Sequence, residues 1–262
     1  MTKFSQIVKK YIVDSQIWVS ICFVGLSAFY QVITQSVDYK LLVLFFFATL
    51  SVYNLSYYAW SCKKNKLIIA VLSIIPVIFI SLYLNIYSIL LLTGLSLLSV
   101  PYAIPIKNKK LREFPYLKIY IISFVWSASI VFLPILNADK DINYTYILYF
   151  IIFFLYVMAI TIPFDVRDYL RDSSKMKTIP QIIGVEKSLR LSKLCFITLC
   201  LLSILISPIK VVLVFFMIGV LLMYMLNEHL IKKSYYCSIY IEGLSLLPLL
   251  LYIIMFLKFN YK

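Results

Sequence analysis

A chain of 262 residues that is 63% hydrophobic and only 14% charged has too little polar surface to close as a soluble globule, since soluble domains run at about 45–50% apolar and about 25% charged residues. A net charge of +14 would suit a nucleic-acid partner, but the basic residues sit in short gaps between apolar runs and form no compact basic module, so that class is set aside. A single histidine, His229, and five cysteines without a CxxC pair argue against His-based zinc, haem or Ser-His-Asp chemistry, and the cysteines read as small apolar packing residues.

A membrane helix needs about 20 largely apolar residues. In chain order such runs fall near 16–34, 41–61, 67–84, 87–105, 116–136, 144–164, 189–206, 210–228 and 237–257. Lys9 and Lys10 precede the first run, which is longer than the about 7–15 residues of a signal-peptide core, so a retained helix is predicted. The third and fourth runs are separated only by Tyr83 to Ile86, and the seventh and eighth meet at Ser207-Pro208, where proline blocks helix continuation. The expectation is an all-α, polytopic membrane helical bundle of about nine transmembrane helices in a single domain, with eight as the alternative count. With the N-terminus inside, 20 of the 25 Lys and Arg fall on the cytoplasmic side, which predicts a cytoplasmic N-terminus, an outside C-terminus and a cytoplasmic or inner membrane as the location.

The 22 Tyr and 19 Phe read first as interfacial belts and lipid-side packing, and second as walls of an aromatic cavity able to hold a carbocation. With only five Gly, close helix contacts are expected to use Ser and Ala.

Ionisable residues at a membrane helix end are costly and tend to be functional. The sixth run ends in one concentrated group, Thr161-Ile-Pro-Phe-Asp165-Val-Arg167-Asp168-Tyr-Leu-Arg171-Asp172. Asp165, Asp168 and Asp172 are spaced i, i+3 and i+7 and share a helix face. Three carboxylates on one face repel unless a cation lies among them, and Mg²⁺ with phosphate oxygens is one such cation. Arg167, Arg171, Lys175 and Lys177 could hold the remaining phosphate charge. A solvated helix extension with internal Asp–Arg pairs is the alternative, and spacing alone does not choose between them.

The stretch Ile162-Pro-Phe-Asp-Val-Arg-Asp-Tyr, followed by Lys177-Thr-Ile-Pro-Gln-Ile-Ile-Gly184, resembles the second aspartate-rich motif of the UbiA superfamily of intramembrane prenyltransferases. The loop Val100-Pro-Tyr-Ala-Ile-Pro-Ile-Lys107 and the segment Phe114 to Trp126 extend the resemblance over most of the chain. It implies a helical bundle with a cavity open to the cytoplasm. There two aspartate-rich motifs, on the second and sixth helices, hold Mg²⁺ and a polyprenyl diphosphate. The diphosphate leaves, an allylic cation forms, and a lipophilic acceptor captures it. On this resemblance Asp165, Asp168 and Asp172 are the expected catalytic and metal-binding residues, and Tyr102, Lys107, Arg167, Arg171 and Lys177 the expected diphosphate contacts.

The first motif of the family reads Asn-Asp-x-x-Asp-x-x-x-Asp, and this chain departs from it. Asn54 remains, whereas Leu55, Tyr58 and Cys62 stand where the aspartates belong. Half of the usual anionic ligand set is therefore missing. Either Asn54, Ser56 or Tyr58 serve as neutral partners with Lys63 or Lys64 in place of a second cation, or the site takes another isoprenoid ligand, or catalysis is lost. Asn54 has a second reading as a helix-to-helix hydrogen bond, and Glu242, about a turn inside the last run, is a further interior candidate. The function expected is Mg²⁺-assisted prenyl transfer from a polyprenyl diphosphate to an aromatic or other lipophilic acceptor. A catalytically degenerate isoprenoid-binding or scaffold protein is the alternative, and a transporter ranks last because no charge lies at the midplane.

Overall fold

The computed structural model describes residues 9–104, 114, 117–172, 176–233 and 235–257, and everything described is helix or connecting loop. A π-helical turn at Lys9–Val13 leads into α1 (Ile17–Ile33), α2 (Tyr39–Ser61), α3 (Lys64–Ser81) and α4 (Ile86–Ala103). Then come α5 (Leu117–Asn137), α6 (Tyr144–Asp168), the short α7 (Ile179–Ile183), α8 (Val185–Ile206), α9 (Ile209–Met225) and α10 (Glu228–Ile231). The described residues end with a π-helical turn at Cys237–Ile241, α11 (Leu247–Tyr252) and another π-helical turn at Ile253–Leu257. Six of these, α2 to α6 and α8, are long and apolar enough to cross a membrane. Shorter apolar helices at Ile17–Ile33, Ile209–Met225 and Leu247–Phe256 stand at the first, eighth and ninth expected runs.

Several connections are marked by a residue that satisfies a helix start. Asp38 caps α2 by accepting from the Lys40 and Leu41 amides, Asn85 caps α4 through Ser88, and Asn143 caps α6 through Tyr146. Two of these caps also tie loops together at that end of the bundle: Asn137 donates to Asp38 at 2.9 Å, and Asn85 donates to Asp139 at 2.8 Å. Inside the apolar helices, the hydroxyls of Ser73, Ser99, Ser127 and Thr161 donate back to the carbonyl four residues earlier, which satisfies them without a partner helix.

The helices pack as a ring. α1 lies on α2, α2 on α3 and α4, α4 on α5, α5 on α6, and α6 on α8; α9 and α11 then carry the wall back to α1. α5 and α6 are the most buried spans and α3 and α4 the most exposed. Tyr30, Phe153, Tyr156, Phe196 and Phe215 form an aromatic core between α1, α6, α8 and α9. Close crossings use Ser, as expected: Ser51 donates to the Ala70 carbonyl and Ser192 to that of Ala159. Glycine contributes too, since a Cβ on Gly25 would meet Leu246 Cδ1 at 2.4 Å.

The last run is not one continuous helix. Pro248 in the first turn of α11 has no N–H to continue a helix, and residues 244–246 form a turn between the two helical pieces. The carbonyl of Leu244 freed by this break accepts the Tyr156 hydroxyl at 2.7 Å, and Trp18 donates to the Ile239 carbonyl at 3.2 Å. Irregular backbone is tolerated at this depth because protein donors cover it.

Candidate functional site

The C-terminal ends of α2 and α6 open onto one cavity of about 870 Å³. Val52 from α2 and Ile121, Ile122, Val125 and Trp126 from α5 give it an apolar wall. Tyr53, Tyr57, Tyr102 and Tyr235 add aromatic surface, and Gln16, Ser56, Ser99 and Ser238 add neutral polar groups. Arg167, Asp168, Arg171, Asp172 and Lys232 make a charged end. The cavity is thus amphipathic along its length.

The charged end is built by helical periodicity. α6 brings Asp165 and Asp168 to one face, and the amides of Arg171 and Asp172 donate to the Asp168 carbonyl at 2.8 and 2.9 Å, holding Asp172 in the next turn of the same face. Across from them stands Lys118, in the first turn of α5. Its ammonium lies 2.8 Å from Asp165 Oδ1 and 2.6 Å from Asp172 Oδ2. Asp165 is 1% exposed, so its charge has to be met by a neighbouring group. Asp168 is met by its sequence neighbour: Arg167 donates to both carboxylate oxygens at 2.9 Å and its third nitrogen to Ser238 Oγ at 3.0 Å. This fork-to-fork pairing also fixes the guanidinium in the cavity wall.

These pairings bear on the metal. Mg²⁺ needs oxygen ligands at about 2.0–2.1 Å in near-octahedral array. Among the described residues no three His, Cys, Asp or Glu side chains converge as a metal cluster. The Lys118 ammonium already stands between Asp165 and Asp172, and Arg167 covers Asp168. As arranged, Lys118 and Arg167 take the places between the carboxylates that a divalent ion would need, and Asp165 meets Lys118 as an ion pair whose oxygens accept no hydrogen bond among the described residues.

The other expected residues are distributed as follows. Tyr102, Arg167 and Arg171 line the cavity. Lys177 does not; with Tyr169, Leu170, Asp172 and Gln181 it borders a smaller hollow of about 380 Å³. In the Lys177-Thr-Ile-Pro-Gln segment the Thr178 amide donates to Gln181 Oε1 at 3.0 Å, and Gln181 also donates to the Asp172 carbonyl at 3.1 Å. Lys107 lies outside the described residues. Tyr58 is not part of the cavity lining, where its neighbour Tyr57 is. Asn54 is fully buried and serves the backbone instead of the cavity. Its amide donates to the Ser15 carbonyl at 3.0 Å and to that of Leu50 at 2.9 Å. Lys66 donates to the neighbouring Asp14 carbonyl. The segment that corresponds to the degenerate first motif therefore ties down the N-terminal turn, which places Gln16 at the cavity rim. Lys63 and Lys64 are exposed and outside the lining. Glu242 is half-buried at the end of the Cys237–Ile241 turn, within electrostatic reach of Arg167 and Tyr53.

No protein-family model matches the sequence, and no curated protein matches it. Solved structures do. A UbiA homologue from Archaeoglobus fulgidus bound to Cd²⁺ superposes with a TM-score of 0.64 at 12% identity, over 93% of this chain and 97% of that one. The chain has the UbiA fold. The same homologue bound to DMAPP and Mg²⁺ gives 0.61 at 12% identity over 96% and 98%. A structure described as giving insights into digeranylgeranylglyceryl phosphate synthase in membranes gives 0.58 at 18% identity over 97% and 98%. With six apolar spans in this fold, the chain is an integral membrane protein.

In this UbiA fold the residue most easily overlooked is Lys118. It reads in sequence as one more basic residue among those before α5, yet it is the partner that the aspartate face requires. Charge balance gave the signal: three carboxylates sharing a helix face need a counter-cation, and Lys118 starts a neighbouring span at the same membrane side. Lys232 and Tyr235 reach the cavity through packing of distant segments, and no local motif marks them.

Proposed function

We propose that the protein binds an isoprenyl diphosphate and transfers its prenyl group to a lipophilic acceptor. The observation that carries this reading is the two-part cavity, apolar and aromatic along α5 and charged at the end of α6. A prenyl tail suits the wall of Ile121, Ile122, Val125 and Trp126, and a diphosphate suits Arg167, Arg171 and Lys232. In the reaction the allylic C–O bond breaks and the diphosphate leaves with the electron pair. The allylic cation lies against Tyr53, Tyr57 and Trp126, whose ring faces attract positive charge. The acceptor's electron pair then forms the new bond and the acceptor loses a proton. The guanidinium groups act by stabilising charge that builds on the leaving oxygen. The cavity opens to the cytoplasm in the orientation set by the basic loops.

Structures with this fold hold DMAPP or GPP together with Mg²⁺, which supports the ligand class. Asp165, Asp168 and Asp172 position the basic groups Lys118 and Arg167. Glu242 completes the electrostatic surroundings of Arg167.

The test is binding of radiolabelled farnesyl diphosphate to protein in nanodiscs, with pyrophosphate release followed in the presence of lipophilic phenols and glycerol-based acceptors. Arg171→Ala should weaken binding by about tenfold to a hundredfold, the worth of a charge-assisted hydrogen bond. Absence of binding sinks the reading. Binding without release under any acceptor favours the second reading, an isoprenoid-binding relative without turnover. That second reading rests on Asn54, whose side chain holds the N-terminal turn where the family's first motif would hold ligands.

A further inference from the structure

The usual logic of a diphosphate site is that carboxylates and phosphates, both anionic, are bridged by divalent cations. In this chain the balance differs. The end of α2 beside the cavity carries Leu55, Tyr58 and Cys62 and contributes no carboxylate. The three carboxylates of the α6 face are matched by basic side chains: Lys118 bridges Asp165 and Asp172, and Arg167 takes Asp168. Arg171 and Lys232 then stand at the same end of the cavity as further positive charge, Lys232 also pairing with Glu228 at 2.5 Å. Lys118, Arg167 and Arg171 thus balance Asp165, Asp168 and Asp172 charge for charge, and Lys232 is balanced by Glu228.

We infer that the Lys118 ammonium is the resident cation of this site, so that the protein takes its diphosphate ligand without a divalent metal. This rests on the isoprenyl-diphosphate reading above and deepens it. Loss of the first-motif carboxylates and the presence of Lys118 between the remaining ones belong together: with fewer anionic ligands, one fixed ammonium and the arginines are enough. Lys118 and Asp165 lie just behind the cavity lining, and the ammonium reaches the site through Asp172, which does line it. Lys118 is 13% exposed, its two contacts are at hydrogen-bond length, and it comes from a helix packed directly on α6. A metal ion introduced between Asp165 and Asp172 would have to displace it.

The experiment measures farnesyl diphosphate binding to the full chain in nanodiscs, with EDTA and with added Mg²⁺. Binding of Mn²⁺ alone is followed in parallel by electron paramagnetic resonance, since Mn²⁺ prefers the same oxygen donors as Mg²⁺. For the wild type, affinity should change by less than about twofold between the two conditions, and no Mn²⁺ should bind at stoichiometric level. Lys118→Met uncovers the two carboxylates, so this variant should bind Mn²⁺ and should gain at least about tenfold in ligand affinity on addition of Mg²⁺. Lys118→Arg keeps a fixed cation and should remain metal-independent, which preserves the test should the methionine variant fail to fold. Wild-type binding that falls by about tenfold or more in EDTA overturns the inference while leaving the diphosphate reading intact. No binding in either condition overturns the diphosphate reading and the inference with it.

Discussion

Replacing Lys118 by Met should cost the fold far more than replacing an ordinary interfacial lysine. At 2.8 and 2.6 Å from two carboxylates, each contact has a gross Coulomb energy of about 6 kcal/mol at an effective dielectric of about 20. Desolvation of the three groups, 1%, 10% and 13% exposed, offsets most of that gain. The net worth of the triad is therefore small, but removing only its cation leaves two carboxylates without a counter-charge, at a cost of about 3–5 kcal/mol. The triple variant Lys118→Met/Asp165→Asn/Asp172→Asn removes charge from all three positions and should recover most of that loss. Equilibrium unfolding by SDS in mixed micelles, read by tryptophan fluorescence, gives the comparison. A Lys118→Met variant within about 1 kcal/mol of wild type would refute the claim that this lysine balances the aspartate face, as would a triple variant no more stable than the single one.

Further outcomes follow from packing and buried hydrogen bonds. Gly25→Ala places a Cβ 2.4 Å from Leu246 Cδ1 and 3.2 Å from Leu246 Cα, and should destabilise by about 1–3 kcal/mol in the same unfolding assay. Gly94→Ala, with nothing within 4 Å, should be neutral or gain up to about 1 kcal/mol. Tyr156→Phe leaves the Leu244 carbonyl at the α11 break without its 2.7 Å donor, costing about 1–3 kcal/mol, detectable as a lower thermal midpoint in detergent. Asn54→Ala frees the Ser15 carbonyl and should speed amide exchange across the N-terminal turn, with a stability loss of about 1 kcal/mol.

The membrane bundle was legible because apolar runs of spanning length are set by composition, and Pro208 marked one boundary; the caps at Asp38, Asn85 and Asn143 emerged only with the structure. The break before α11 was not legible as such: Leu244 and Leu246 keep the run apolar, and only Pro248 hints that the helix stops. At the site, the spacing of Asp165, Asp168 and Asp172 predicted a shared face, with Mg²⁺ among the carboxylates or Asp–Arg pairs along a solvated helix as the two readings, and periodicity delivered that face. The identity of the cation was beyond local spacing, because Lys118 is 47 residues from Asp165 in sequence and becomes its partner only when α5 packs on α6. Asn54 was ambiguous for the same reason, since its partner Ser15 belongs to another segment. Tyr57 rather than Tyr58 reaches the cavity because one residue of helix is a rotation of about 100°.

On the proposed function, the cavity between α2, α5 and α6 holds an isoprenyl diphosphate, tail along α5 and phosphates at the α6 end. The most direct measurement is photo-cross-linking with a farnesyl diphosphate analogue carrying a diazirine at its tail, followed by peptide mapping of the labelled protein. Label concentrated on Ile121 to Trp126 of α5 and on Val52 to Tyr57 of α2, and competed by unlabelled farnesyl diphosphate, is the predicted result. Label confined to the lipid-exposed faces of α3 and α4, or indifferent to competitor, would contradict it.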